Sequence, residues 1–268
     1  MAVPASENGS VSNTMRSRLA DGEVLIGGWC TLPTSFAAEI VSDCDVDYAV
    51  VDMQHGLTGY SDLVSMLQAI GSRGVVPLVR IPFEDFGLAQ RALDAGAYGL
   101  IVPMVSNRDQ AQAAVNSARY PPLGERSYGP IRQKMHLGSD PAWVNSQVLL
   151  LVQIETIAAM ANLDDILSID GVDGVYTGPA DLALTHGLPV GGASDELDAL
   201  LTRIVQACDE HGVIPGIHTA SGADCRRAQS LGYRLTSVGT DAVWLRAGFA
   251  QQVAAARSMD EAISGALY

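Results

Sequence analysis

The chain repeats one pattern: a short, nearly continuous apolar run, then a stretch with apolar residues at helical spacing, joined by loops rich in Gly, Pro, Asn and Asp. Apolar runs of that length read as strands buried on both faces, and the helical spacing marks the inner stripe of a helix. A short helical lead-in is expected over 16–21, a first strand over 24–29 and a helix over 35–42. The pair then recurs: strand 47–52 with helix 61–70, strand 75–80 with helix 86–95, strand 98–102 with helix 109–118. After a polar stretch over 120–146, too long for a mere connection, comes a fifth strand from Leu149, with helical spacing over 156–168. A sixth strand begins at Gly174 and runs into Gly178-Pro-Ala-Asp181, which opens a short helix with Pro in its first turn. A Gly-rich loop over 185–194, helix 196–211, strand 213–217, helix 223–231, strand 234–239 and a final Ala-rich helix from Asp241 complete the series.

Eight strand-then-helix units in one chain of this length fit an α/β fold, a single (β/α)8 TIM barrel over 15–268. A doubly wound open sheet is the alternative, but no G-x-G-x-x-G loop follows the first strand. Residues 1–14 are polar and lack a signal-peptide core, which reads as a disordered N-terminal tail.

In a barrel, catalytic groups stand where strands run out into the following loops. Those positions hold Trp29, Asp52 and His55, Arg80, Pro103, Gln153 and Glu155, Gly178 to Asp181, His218 and Gly239. Glu155 and Asp181 close neighbouring strands. Either carboxylate alone reads equally well as a favourable charge at a helix N-terminus. As a pair at adjacent strand ends they suit a hard divalent cation, Mg²⁺ or Mn²⁺ rather than zinc, which prefers His and Cys. The free N–H groups of Gly178-Pro179-Ala180-Asp181 make a cradle for a carboxylate. Arg80, directly after an apolar strand, is placed to hold an enolate or carbonyl oxygen. Asp52 and His55, three apart, read as a dyad in which the carboxylate orients the imidazole for acid–base work. His136, His186 and His211 read as loop or surface residues.

Composition narrows the chemistry. The net charge of −14 disfavours nucleic acid and anionic membrane as partners. No apolar run approaches the length of a membrane span. The four cysteines form no C-x-x-C pair, as expected of reduced thiols in a cytoplasmic protein. The only lysine, Lys134, lies in the long polar stretch and not at a strand end. An imine-forming aldolase would need a lysine near a strand end, so this placement disfavours imine stabilisation of a carbanion, a job that a metal could do as a Lewis acid.

These motifs resemble the HpcH/HpaI family of class II pyruvate aldolases. The likeness is carried by Val51-Asp-Met-Gln-His55, Pro77-Leu-Val-Arg80, Ala95-Gly-Ala-Tyr-Gly-Leu-Ile-Val-Pro-Met104, Arg119-Tyr-Pro-Pro-Leu-Gly124, Val152-Gln-Ile-Glu-Thr156 and the run from Gly171 to Leu182. It implies a barrel of the phosphoenolpyruvate/pyruvate type and a divalent cofactor (Mg²⁺, Mn²⁺ or Co²⁺) held by Glu155 and Asp181. It further implies that Arg80 steadies the enolate oxygen and that Asp52 and His55 handle protons at the aldehyde or alcohol oxygen. Backbone N–H groups near Ala180 and Asp181 would take the substrate carboxylate, and Gln153 and Trp29 would line the pocket. The implied reaction is reversible aldol cleavage of a 4-hydroxy-2-oxo acid to pyruvate or hydroxypyruvate plus an aldehyde. The implied assembly is a hexamer, with the last helix on a neighbouring barrel. Two positions depart from the family pattern: Gln54, where many relatives carry Glu, and His218, where an apolar pocket residue is expected. A CoA-ester lyase of the citrate lyase β-subunit type is the alternative, disfavoured by the lack of a basic cluster to bind CoA. A non-catalytic oligomeric barrel is the second.

Overall fold

Along a strand successive side chains point to opposite faces, and here both faces are apolar. Val50, Leu78, Ile101, Leu149 and Leu151 join Trp29, Tyr48, Tyr176 and Leu235 in one buried cluster. Their chain neighbours Val51, Val79, Leu100, Val102, Leu150, Val152 and Val175 belong to a second cluster, packed with the helices. The first cluster fills a barrel and the second lies between barrel and helices. A computed structural model describes residues 13–191 and 194–257. Its strands are β1 (Leu25–Cys30), β2 (Tyr48–Asp52), β3 (Val76–Arg80), β4 (Gly99–Val102), β5 (Leu149–Val152), β6 (Gly174–Thr177), β7 (Ile214–Ile217) and β8 (Leu235–Thr240). Each pairs in parallel with the next and β8 pairs with β1, closing the barrel in chain order. The (β/α)8 expectation is borne out.

The helices start where a polar cap meets an apolar stripe. Thr34, Asp85, Asn107 and Ser221 accept a backbone N–H at the starts of α2 (Ser35–Ser42), α4 (Phe86–Asp94), α5 (Arg108–Ala118) and α11 (Gly222–Ser230). Between them stand α3 (Tyr60–Ser72) and α10 (Asp195–His211), the latter ended by Gly212 at φ +67°. Inside the barrel the Tyr48 hydroxyl donates to the Thr236 carbonyl at 2.8 Å and lies 3.0 Å from the Tyr176 hydroxyl. The ring leaves no room opposite, since a Cβ on Gly27 would sit 2.3 Å from it.

Three regions differ from the expectation. Asn13 and Thr14, expected in the tail, are built in: Asn13 caps α1 (Thr14–Ala20) and its Nδ2 donates to the Gln147 carbonyl at 2.9 Å. Met15 and Leu19 of that helix join the interior cluster, closing the barrel's N-terminal end. Residues 1–12 and 258–268 lie outside the described residues. The helix expected over 156–168 is two, α7 (Ile157–Ala161) and α8 (Leu163–Leu167), with Asn162 between them donating to the Ser106 carbonyl at 2.9 Å. The long polar stretch holds a 3-10 turn (Gln133–Met135) and α6 (Pro141–Gln147), begun by Asp140 and Pro141. Joining a helix to the start of β5, this stretch belongs to the barrel's N-terminal end. Buried Arg126 ties it down by donating to Asp94 at 2.6 Å and to Gln133 at 2.5 Å.

The last helix, α12 (Asp241–Arg257), buries none of its residues and exposes Val243, Trp244, Leu245, Phe249 and Val253. Beside its first turn an apolar cavity of about 490 Å³ opens toward Phe36 and Ile40 of α2, both exposed. No helix among the described residues is long and apolar enough to cross a membrane. All four cysteines are free.

Candidate active site

Seven of the expected residues converge at the C-terminal end of the strands, in two groups. The first is built on β1, β2 and β3, whose register sets Trp29 beside Val50 and Asp52 beside Arg80. Buried Asp52 receives Arg80 Nε at 3.0 Å and Nη2 at 2.6 Å, and Trp29 Nε1 at 3.1 Å. The backbone N–H groups of Gln54 and His55 close on the same carboxylate at 3.0 and 3.2 Å. Burial alone would raise the Asp52 pKa, but the Arg80 bonds and charge, helped by Trp29 and the His55 N–H, bring it below the usual value. The group is a fixed carboxylate. Arg80 also stacks over the Trp29 ring, 5.0 Å from its centroid, and its Nη1 has no protein partner among the described residues.

This corrects the Asp52–His55 dyad. The spacing brings the two residues together, but through the His55 backbone: the imidazole is exposed and makes no bond to Asp52. An Asp three residues before an amide at a strand end satisfies that amide, and the stronger claim of Arg80 takes the rest of the carboxylate.

The second group follows β5 and β6. Glu155 is buried, and its Oε1 accepts the Met104 N–H at 2.7 Å while Oε2 accepts Gln153 Nε2 at 3.2 Å. Burial, reinforced by the Asp181 charge, raises its pKa to about 7 against the Met104 bond and the Arg80 charge. Gln153 Oε1 is buried with no partner among the described residues. A Cβ at Gly178 would lie 2.2 Å from Glu155 Oε2, so glycine there lets β6 and the carboxylate come close. Gly178 is the N-cap of α9 (Pro179–Thr185), with Asp181, half-buried, in its first turn.

Residues 26–247 match the HpcH/HpaI aldolase/citrate lyase family. The chain belongs to that family. This HpcH/HpaI chain is 36% identical to a hydroxypyruvate/pyruvate aldolase of Rhizorhabdus wittichii, covering 92% of this chain and all of the relative. It is 34% identical to a 4-hydroxy-2-oxo-heptane-1,7-dioate aldolase of Salmonella typhimurium, covering 96% and 98%. Among solved structures, a HpcH/HpaI aldolase/citrate lyase family protein from Burkholderia cenocepacia superposes with a TM-score of 0.83 at 31% identity, over 92% of this chain and all of that one.

Two features of this HpcH/HpaI site were given no role from the sequence. Met104, just past β4, holds φ +58°, a conformation uncommon for a residue with a side chain, and so points its N–H at Glu155. Nothing in the Pro103-Met104 pair marks that conformation. His218, continuing β7, packs edge-on against Trp29 with ring centroids 4.7 Å apart. The only lysine stands in the 3-10 turn of the long stretch, at the opposite end of the barrel.

Proposed function

We propose that this barrel is a class II aldolase: it reversibly cleaves a 4-hydroxy-2-oxo acid to pyruvate or hydroxypyruvate and an aldehyde. One observation carries the reading. Arg80, Glu155 and Asp181 share one end of the barrel, while the sole lysine sits at the other. That mouth offers no lysine for an imine, and a cation-assisted route fits. The activities named for the Rhizorhabdus and Salmonella relatives agree with it.

Among the described residues no cluster of three or more His, Cys, Asp or Glu is placed to hold a metal ion. Two carboxylates leave room for water and substrate oxygens, as Mg²⁺, Mn²⁺ or Co²⁺ require. The fit is supported by Gln153 Oε1 beside Glu155, buried without a partner among the described residues, and by the Asp181 charge, which adds to burial in raising the Glu155 pKa. Glu155 and Asp181 would hold the ion, which when bound supplies Lewis acidity at the 2-oxo group. The substrate carboxylate would sit on the free N–H groups at the start of α9, around Ala180 and Asp181.

In the cleavage direction the C4 hydroxyl loses its proton, the C3–C4 bond breaks to release the aldehyde, and its electron pair passes to C3 and the 2-oxo oxygen. Arg80, oriented by Asp52, offers its open Nη1 to that developing negative oxygen. His55 at the rim exchanges the proton through water. C3 is then reprotonated to give the methyl or hydroxymethyl group of the product. Trp29 and Gln153 wall the pocket. The exposed apolar stripe of α12 is covered by a second copy of the chain, in a homo-oligomer of hexameric type. Four free thiols are in keeping with a cytoplasmic setting.

Excess chelator or Glu155→Ala should abolish turnover, and full activity in chelator sinks the metal assignment. Arg80→Ala should stop exchange of pyruvate methyl protons with solvent. Borohydride with pyruvate should leave no covalent adduct.

A further inference from the structure

His218 is a polar side chain at the mouth that the aldol chemistry does not use. Its backbone N–H continues the strand pairing, donating to the Thr177 carbonyl at 3.0 Å. Its ring is held from two sides: edge-on against Trp29, and by Nδ1 at 3.1 Å from the Ser237 hydroxyl on β8. Trp29 in turn bonds Asp52 and lies under Arg80, so the imidazole is locked to the group that handles the donor oxygen. His218 also borders, with Pro179 and Ala180 of the first turn of α9, the inner end of a cavity of about 330 Å³ that runs outward between α10 (Leu197, Leu201) and α11 (Asp224, Ala228). Its Nε2 has no protein partner among the described residues.

The chemistry of that free nitrogen narrows what it can meet. Burial, with the Arg80 charge, lowers the ring pKa to about 4, so the imidazole is neutral at ordinary pH and does not compete with Arg80 for an anion. Ser237 Oγ accepts the Thr219 N–H at 3.1 Å and can direct its own hydrogen either to the Thr219 carbonyl or to His218 Nδ1. Both tautomers are accommodated, and Nε2 can be either acceptor or donor. A hydroxyl group matches both states. A carboxylate or carbonyl oxygen can meet only the tautomer with its proton on Nε2, and a methyl group would leave the nitrogen unpaired.

We propose that His218 is a specificity residue that reads a hydroxyl group on the bound substrate, so that the enzyme prefers hydroxylated substrates to their deoxy counterparts. The inference rests on the aldolase reading and sharpens it. The hydroxyl has two possible bearers: C3 of the donor, which separates hydroxypyruvate from pyruvate, or C2 of the acceptor, which separates glycolaldehyde from acetaldehyde.

The test measures kcat/KM with Mn²⁺ for hydroxypyruvate against pyruvate with acetaldehyde, and for glycolaldehyde against acetaldehyde with pyruvate. The parent enzyme, His218→Leu and His218→Asn are compared. In one of the two pairs the hydroxy-to-deoxy ratio should fall about tenfold to a hundredfold in the leucine variant and be partly restored by asparagine; which pair responds identifies the bearer. A role confined to supporting Trp29 would depress both members of each pair equally, and ratios unchanged in both pairs overturn the inference. Calorimetric binding of the same four compounds to parent and His218→Leu keeps the two readings separable. Absence of turnover in every pair sinks the aldolase, whereas a hydroxy-to-deoxy Kd ratio that the substitution leaves unmoved sinks the role of His218.

Discussion

Arg80 donates through Nε and Nη2 to the two oxygens of Asp52, at 3.0 and 2.6 Å, and so presents a single edge of its guanidinium to the barrel mouth. A two-point contact of this kind fixes the plane of the fork as well as its position. Asp52→Asn would keep the shape but lose the charge and one matched acceptor. Turnover should fall about 10²- to 10³-fold, as when an oriented donor to a developing oxyanion is lost. Trp29→Phe, which removes one of several bonds to Asp52, should cost only about tenfold. Steady-state kinetics on both variants decide it; an Asp52→Asn enzyme within threefold of the parent would mean that Arg80 is oriented by something else.

Gly178 makes a sharper steric prediction. A methyl group there would meet Glu155 Oε2 at 2.2 Å, and the backbone is not in the left-handed region. Gly178→Ala should therefore fold, yet push the carboxylate out of place and weaken divalent-cation binding at least tenfold. Calorimetric titration with Mn²⁺ reads the loss, and unaltered affinity would dissociate Glu155 from the ion.

Acid stability should carry the mark of His218. Its folded pKa of about 4 lies below the unfolded value of 6.5, so between those limits the unfolded chain binds the extra proton. The neutral ring's contribution is whole above pH 6.5 and is lost as pH falls toward 4, by up to about 3 kcal/mol at 1.36 kcal/mol per unit. Urea unfolding across that window should show a shallower decline in His218→Leu than in the parent. Parallel declines would mean that the ring is not kept neutral by its surroundings.

The outer face of α12 supplies the test of assembly. Leu245 and Phe249 are 54% and 68% exposed, an unfavourable display for a soluble monomer. Leu245→Glu with Phe249→Glu should lower the sedimenting mass toward that of one chain. A parent protein that already sediments as a monomer at micromolar concentration would refute the covering by a second copy.

Much of this was legible in advance because two periodicities dominate the chain. Runs such as Leu149–Val152 are apolar at every position, and only a strand between an inner and an outer core needs that. The strand-end rule then located Trp29, Asp52, Arg80, Glu155 and Asp181 without any contact being known. What escaped was set by geometry across the barrel. The spacing of Asp52 and His55 could not reveal that Arg80, 28 residues on, takes the carboxylate, nor that only the histidine backbone touches it. The left-handed turn of Met104 and the clasp of His218 between Trp29 and Ser237 likewise depend on neighbouring strands, not on local pattern. Asn13 looked like tail because its partners, Gln147 and Tyr98, are far along the chain.

Lys134 is exposed on the turn at the closed end of the barrel, away from the mouth. A reagent selective for lysine side chains therefore finds one per chain, on the face opposite the chemistry. Tethered there to a bead or an electrode, each barrel would stand mouth outward, its substrate path unobstructed by the support.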